Sequence, residues 1–243
     1  MRALVLKEIR SFFNSITGYL VIAVYLLINS VVLWLFPNAF NILEGGYASV
    51  QTLFIISPWI FMFLIPALTM RMFADEKRAG TMEILLTRPI TDFQIVWAKF
   101  IAGKILVIFS ILPTLIYFAT VYYLASPQGN VDMGGTMGSY IGLLFLGVSF
   151  VSIGVFASSL TENQIVSFLL GMFLCFFFYI GFDQIADLAL FGRADLFILN
   201  LGINEHYNSL SRGVIDSRDV LYFLGFALLF SLATRLVLQS RKW

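Results

Sequence analysis

Glu76–Lys99 reads "EKRAGTMEILLTRPITDFQIVWAK". It holds Glu76, Lys77, Arg78, Glu83, Arg88, Asp92 and Lys99, and Asp75 stands just before it. The whole chain of 243 residues has only 15 Lys and Arg and 14 Asp and Glu. The sequence on either side of the stretch is almost pure hydrocarbon. Explaining an island of charge in such surroundings decides what kind of protein this is.

The surroundings come first. Hydrophobic residues make up 60% of the chain, charged residues 12%, and the mean hydropathy is +0.91. Soluble domains are roughly a quarter charged. A soluble fold cannot hide this much apolar surface, so the solvent is a bilayer. A spanning helix needs about 20 mostly apolar residues. The segments that qualify are Ile16–Phe36, Thr52–Phe73, Ile101–Leu124, Ser139–Leu160, Gln164–Phe182 and Val220–Leu238. The expected fold is an all-α polytopic membrane protein with six transmembrane helices, forming a single unit over 1–243. Pro58 and Pro66 interrupt the second span and Pro113 the third, and each removes a helix hydrogen bond. The N-terminus lacks the continuous apolar core and cleavage site of a signal peptide, so the first span is expected to stay in the membrane.

Orientation follows from Lys and Arg placement. An even number of spans puts both termini on one side, together with the quoted stretch. That side takes all the basic residues except Arg193, Arg212 and Arg218. Both termini and the 74–100 segment are therefore expected in the cytoplasm, with the chain in the inner membrane. A net charge of +1 gives no electrostatic case for nucleic acid.

Three smaller features add detail. Over Arg2–Asn14, Val5, Ile9, Phe12 and Phe13 share one helical face, and Lys7, Arg10, Ser11 and Asn14 the other. Residues 1–15 read as an interfacial helix lying on membrane lipids, or as a plain extension of the first span. Thr91-x-x-Gln94 and Thr161-x-x-Gln164 fit capping boxes that start the third and fifth spans. The outer region 183–218 mixes short apolar runs with turn residues, as re-entrant or interface-lying helices do, and Asp216 or Ser217 then caps the last span.

Several chemistries are disfavoured. Gly103-Lys104 lacks the upstream glycine and following Ser or Thr of a P-loop, so the chain hydrolyses no nucleotide by that route. His206 is the only histidine, with no companion metal ligands in view. Cys175 reads as an apolar filler. No ionisable group sits in the middle of the early spans, which counts against an ion-coupled carrier. Energy for transport would come from a partner. Gly134 and Gly135 read as a turn. Gly138 and Gly142 fit either that turn or helix packing.

In the quoted stretch, Met82, Leu85 and Leu86 fall at i, i+3 and i+4, with Lys77, Arg78 and Thr81 on the other side. This is a short amphipathic helix broken at Arg88-Pro89. A solvated loop obeying the positive-inside bias accounts for Lys77, Arg78 and Arg88. A docking surface also accounts for Asp75, Glu76, Glu83 and the apolar stripe.

The same residues carry a family likeness. Glu76, Lys77 or Arg78, Gly80, Thr81, Glu83, Leu85, Leu86, Pro89 and Lys99 resemble the cytoplasmic motif of ABC-2-type ABC transporter permeases. Within that family the chain is most similar to the gliding-motility-associated permease subunits of Bacteroidetes. The resemblance implies a non-catalytic subunit, coupled to a dimer of a separate cytoplasmic ABC ATPase that binds the ATP and Mg. It implies no cofactor in this chain. The second membrane partner would be a permease-like subunit with a large outer-side domain, or a second copy of this chain. The coupling helix would comprise Glu76, Lys77, Arg78, Gly80, Thr81, Met82, Glu83, Leu85, Leu86, Arg88 and Pro89. Thr161, Glu162 and Asn163 would make a smaller contact. The expected role is substrate export or the driving of a gliding or secretion machinery. The alternative is a scaffold that transports nothing.

Overall fold

The structure, a computed structural model, describes residues 1–37, 40–86, 89–189, 192 and 195–240, with only the backbone of 84–86. Among them every regular element is helical. Six helical runs are long and apolar enough to cross a membrane: Ile16–Leu35, Gln51–Arg78, Asp92–Leu124, Met133–Leu160, Gln164–Asp187 and Ser217–Gln239.

The chain opens with α1 (Arg2–Phe13) and the first span, α2 (Ile16–Ser30), which passes into a π-helical turn at Val31–Leu35. The second span is α3 (Gln51–Thr69). It runs through Pro58 and Pro66 without ending, then breaks at Met70. The chain continues as α4 (Arg71–Arg78) and α5 (Thr81–Leu86). The third span is α6 (Asp92–Ile111), a 3₁₀ turn over Leu112–Thr114 at Pro113, and α7 (Leu115–Leu124). A tight turn here is the expected response to a proline that cannot donate to the ladder. The fourth span is α8 (Met133–Leu160). The fifth is α9 (Gln164–Phe176), continued through a π-turn into α10 (Phe182–Asp187). Short helices α11 (Asp195–Leu199) and α12 (Ile203–Ser211) precede the last span, α13 (Ser217–Gln239).

The fourth span is the hub. It is 78% buried and the second span 61%, whereas each of the others is a third buried or less. Small residues make this packing possible. A Cβ on Gly154 would lie 2.0 Å from Thr69 Oγ1, and one on Gly142 would lie 2.6 Å from Leu210 Cβ. Gly138 meets the backbone of Gly213 in the same way. Gly138 and Gly142 are therefore packing positions, where α12 seats on α8.

Two sequence expectations change. Gly134 and Gly135 are not a turn but lie in the first turn of α8, which starts at Met133 because Asp132 caps it and accepts from the Gly135 amide at 2.9 Å. Thr161 does not cap the fifth span. Asn163 does, accepting from the Ile165 amide at 2.9 Å, while the Thr161 hydroxyl accepts from the Asn163 amide at 3.1 Å. A two-residue shift puts the cap on the residue whose short amide best reaches the first free N–H. The Thr91–Gln94 box forms in both directions, and Asp216 caps α13.

Candidate functional site

At the end of the bundle that carries most of the basic residues, the second span does not stop cleanly. Its break at Met70 leaves α4 with free amides at its start, as every helix has. A side chain from another span satisfies them. The Ser158 hydroxyl, near the end of α8, accepts from the amides of Phe73 (2.9 Å) and Ala74 (3.1 Å) and donates to the Met70 carbonyl (2.9 Å).

The same corner is bound twice more. The Lys77 ammonium donates to the Ser159 carbonyl, one of the unpaired carbonyls at the negative end of α8. The Gln164 amide donates to Asp75 Oδ1. The α4 helix is therefore fixed to the end of the fourth span and the start of the fifth. Residues 161–163 stand beside it, with Glu162 and Asn163 exposed and Thr161 half-buried.

A buried ionic cluster holds the other side of α4. Lys99, on α6, is fully buried. Its Nζ lies 2.8 Å from Glu76 Oε2 and 3.2 Å from Glu8 Oε1, donates to the Met72 carbonyl, and stands 4.9 Å from the centre of the Phe73 ring. Lys7 Nζ lies 2.8 Å from Glu76 Oε1 and 3.5 Å from Glu8 Oε1. Two ammonium and two carboxylate groups thus join α1, α4 and α6. Their formal charges cancel, as burial demands. Partial burial opposes the charge on Lys7, but the hydrogen bond and attraction of Glu76, then Glu8, outweigh it and hold its pKa above the ordinary lysine value.

Glu8 escaped the sequence reading. It lies between Leu4 and Phe12, which are also buried and spaced four apart on α1, and that face packs on α6. A lone acid on the apolar stripe of an otherwise basic helix was the available signal.

The expected coupling residues separate into two groups. Glu76 and Lys77 turn inward to the contacts just described. Arg78, Gly80, Thr81, Glu83 and Pro89 are exposed, and Met82 is buried. Arg88 lies outside the described residues, as do the side chains of Leu85 and Leu86. The division falls at the end of α4, where Arg78 is already exposed and Gly80 turns the chain. The Gly80 φ of +66° is a left-handed conformation that ends α4, with its amide donating to the Lys77 carbonyl at 3.1 Å. The Thr81 hydroxyl donates back to the Glu76 carbonyl at 3.3 Å.

No curated protein matches the chain. Residues 5–239 match the family described as ABC-2 family transporter protein, which covers nearly the whole sequence. The chain belongs to the ABC-2 family of transporter proteins and is a multi-pass membrane permease component of an ABC transporter, a kind of subunit that associates with an ABC ATPase.

Proposed function

We propose that α4 and α5 are the coupling element of this permease: α5 is what the cytoplasmic ATPase grips, and α4 is what transmits the push. The observation that carries this reading is the change at Gly80. On one side α4 is bonded to the third, fourth and fifth spans and to α1. On the other, Thr81 and Glu83 reach solvent. A lever needs a rigid root and an accessible tip. The positive-inside bias supports a cytoplasmic location for this end and both termini, and we read the membrane as the inner membrane.

The exposed residues Arg78, Thr81 and Glu83, with Arg88 and Pro89, then orient the ATPase dimer, which carries the ATP and Mg. Met82 seats the helix against the bundle, Leu85 and Leu86 seat it or fill the ATPase groove, and the corner at Thr161, Glu162 and Asn163 is a second, smaller contact. By resemblance, the transporter exports a substrate or drives a gliding or secretion machinery, beside a second permease-like subunit or a second copy of itself.

The test is affinity isolation of the tagged chain from native membranes, followed by ATPase assays of the reconstituted complex. Wild type retains an ABC ATPase and stimulates it. Glu83→Lys, at an exposed position, leaves the fold intact and loses most of the stimulation. Normal retention and stimulation by that variant would remove Glu83 from the docking surface.

A further inference from the structure

His206, the single histidine, lies at the opposite end of the bundle on α12. Its two ring nitrogens are both engaged. Nδ1 stands 2.7 Å from Asp219 Oδ1 on α13, and Nε2 stands 2.9 Å from the carbonyl oxygen of Asn200. A carboxylate and a carbonyl are both acceptors, so each nitrogen must donate. Only the imidazolium form carries two N–H groups. The neutral ring would aim a lone pair at an oxygen on one side or the other.

The ring is also held in place. It stacks on Tyr222 of α13 with centroids 3.9 Å apart, and the Tyr222 hydroxyl donates to the Leu201 carbonyl at 2.7 Å. His206 and Tyr222 together tie the 200–206 segment to the last span.

That segment leads into a cap over the ends of other spans. The Tyr207 hydroxyl donates to the Phe54 carbonyl of α3 at 2.7 Å, Leu210 fills the notch at Gly142 of α8, and Asn204 donates to Asp183 Oδ2 of α10 at 2.5 Å. The fastening of α12 to α13 therefore bears on the second, fourth and fifth spans as well.

We propose that His206 is a proton-operated latch: its imidazolium pins the α12 cap to the last span, and loss of the proton loosens the cap. Histidine is the side chain whose charge ordinarily changes between about pH 5 and 8. The titratable and charged groups around the ring are Asp219, Tyr222 and Arg218 on α13. Glu205 and Tyr207 share its own helix, Arg212 is that helix's C-cap, Tyr179 faces Tyr207, and Asp183 is reached through Asn204. Among these Asp219 alone is in ionic contact with the ring.

A single histidine makes the test direct. The full chain, labelled with ¹⁵N-histidine and held in lipid nanodiscs, gives one imidazole to follow by NMR. Amide exchange over 203–211, corrected for intrinsic pH effects, follows the cap in the same samples. We expect a doubly protonated ring wherever the cap is protected and about tenfold faster exchange across 203–211 once the ring is neutral. In His206→Gln the exchange should not change with pH. In Asp219→Asn the contact to Nδ1 is weakened and the cap should exchange faster at every pH. A neutral ring in a protected cap would overturn the proposal. So would protection that stays the same as the ring titrates, or a His206→Gln cap that still responds to pH.

Discussion

The helices α4 and α5 are neighbours in sequence, both lie in the charged island, and they are separated only by Ala79 and Gly80. Their charges do opposite things. In α4, Asp75, Glu76 and Lys77 each meet a partner from another element, and all face inward. In α5, Glu83 is exposed. Charge in a membrane protein's water-facing segment is usually solvated, and an exposed ion pair contributes little. Here Asp75, Glu76 and Lys77 are structural, while Glu83 meets water, and the proposed docking of a partner rests on that difference. A root built of buried ion pairs resists small shifts that would separate its charges.

The contrast predicts very unequal effects of mutation. Lys99→Met is the harshest case. It leaves Glu8 and Glu76 facing each other without the buried ammonium. The loss should reach about 3–5 kcal/mol, the usual cost of breaking a buried pair from one side. Thermal unfolding of the purified chain checks it. The triple variant Glu8→Gln, Glu76→Gln, Lys99→Met should recover much of that stability, because no charge is left stranded.

Next comes Gly154→Ala, where the added methyl would overlap the Thr69 hydroxyl. Overpacking at the contact between the two most buried spans should cost about 1–3 kcal/mol by the same assay.

Gly80→Ala separates root from tip. Nothing lies within 4 Å of the added Cβ, so the cost is backbone strain at φ +66°, about 1–2 kcal/mol. Its loss of ATPase stimulation should exceed its loss of stability, because it alters the angle at which the tip leaves the root.

Lys7→Ala should be mildest, at most about 1 kcal/mol, since that side chain is 57% exposed. The raised pKa of Lys7 fixes the sign of its pH dependence. Its contribution is fully present below the unfolded lysine value and is lost only as pH climbs through the higher folded value. It is therefore constant across neutral pH.

Much of this was legible in the sequence. Hydropathy located all six spans, because a bilayer demands long apolar runs and helices meet that demand locally. Span ends were less legible. Met133–Leu160 begins earlier than hydropathy suggested because Asp132 supplies a cap that an apolar window does not detect. The position of the charged segment between the second and third spans was readable from its composition. Its division at Gly80 was not, because the sequence shows Lys77 and Glu83 as equivalent charges. Only the end of α8, distant in sequence, makes one a helix-terminal contact and leaves the other in water. The pairing of Glu8 with Lys99 was hidden for the same reason. They are 91 residues apart, and no local pattern pairs them.

The division of the island into root and tip is tested most directly by amide exchange on the permease with and without its ATPase. Residues of α5 should gain protection when the ATPase binds, while those of α4 should be protected already in the free permease and change little. Protection gained chiefly in α4, or none gained in α5, would contradict that division.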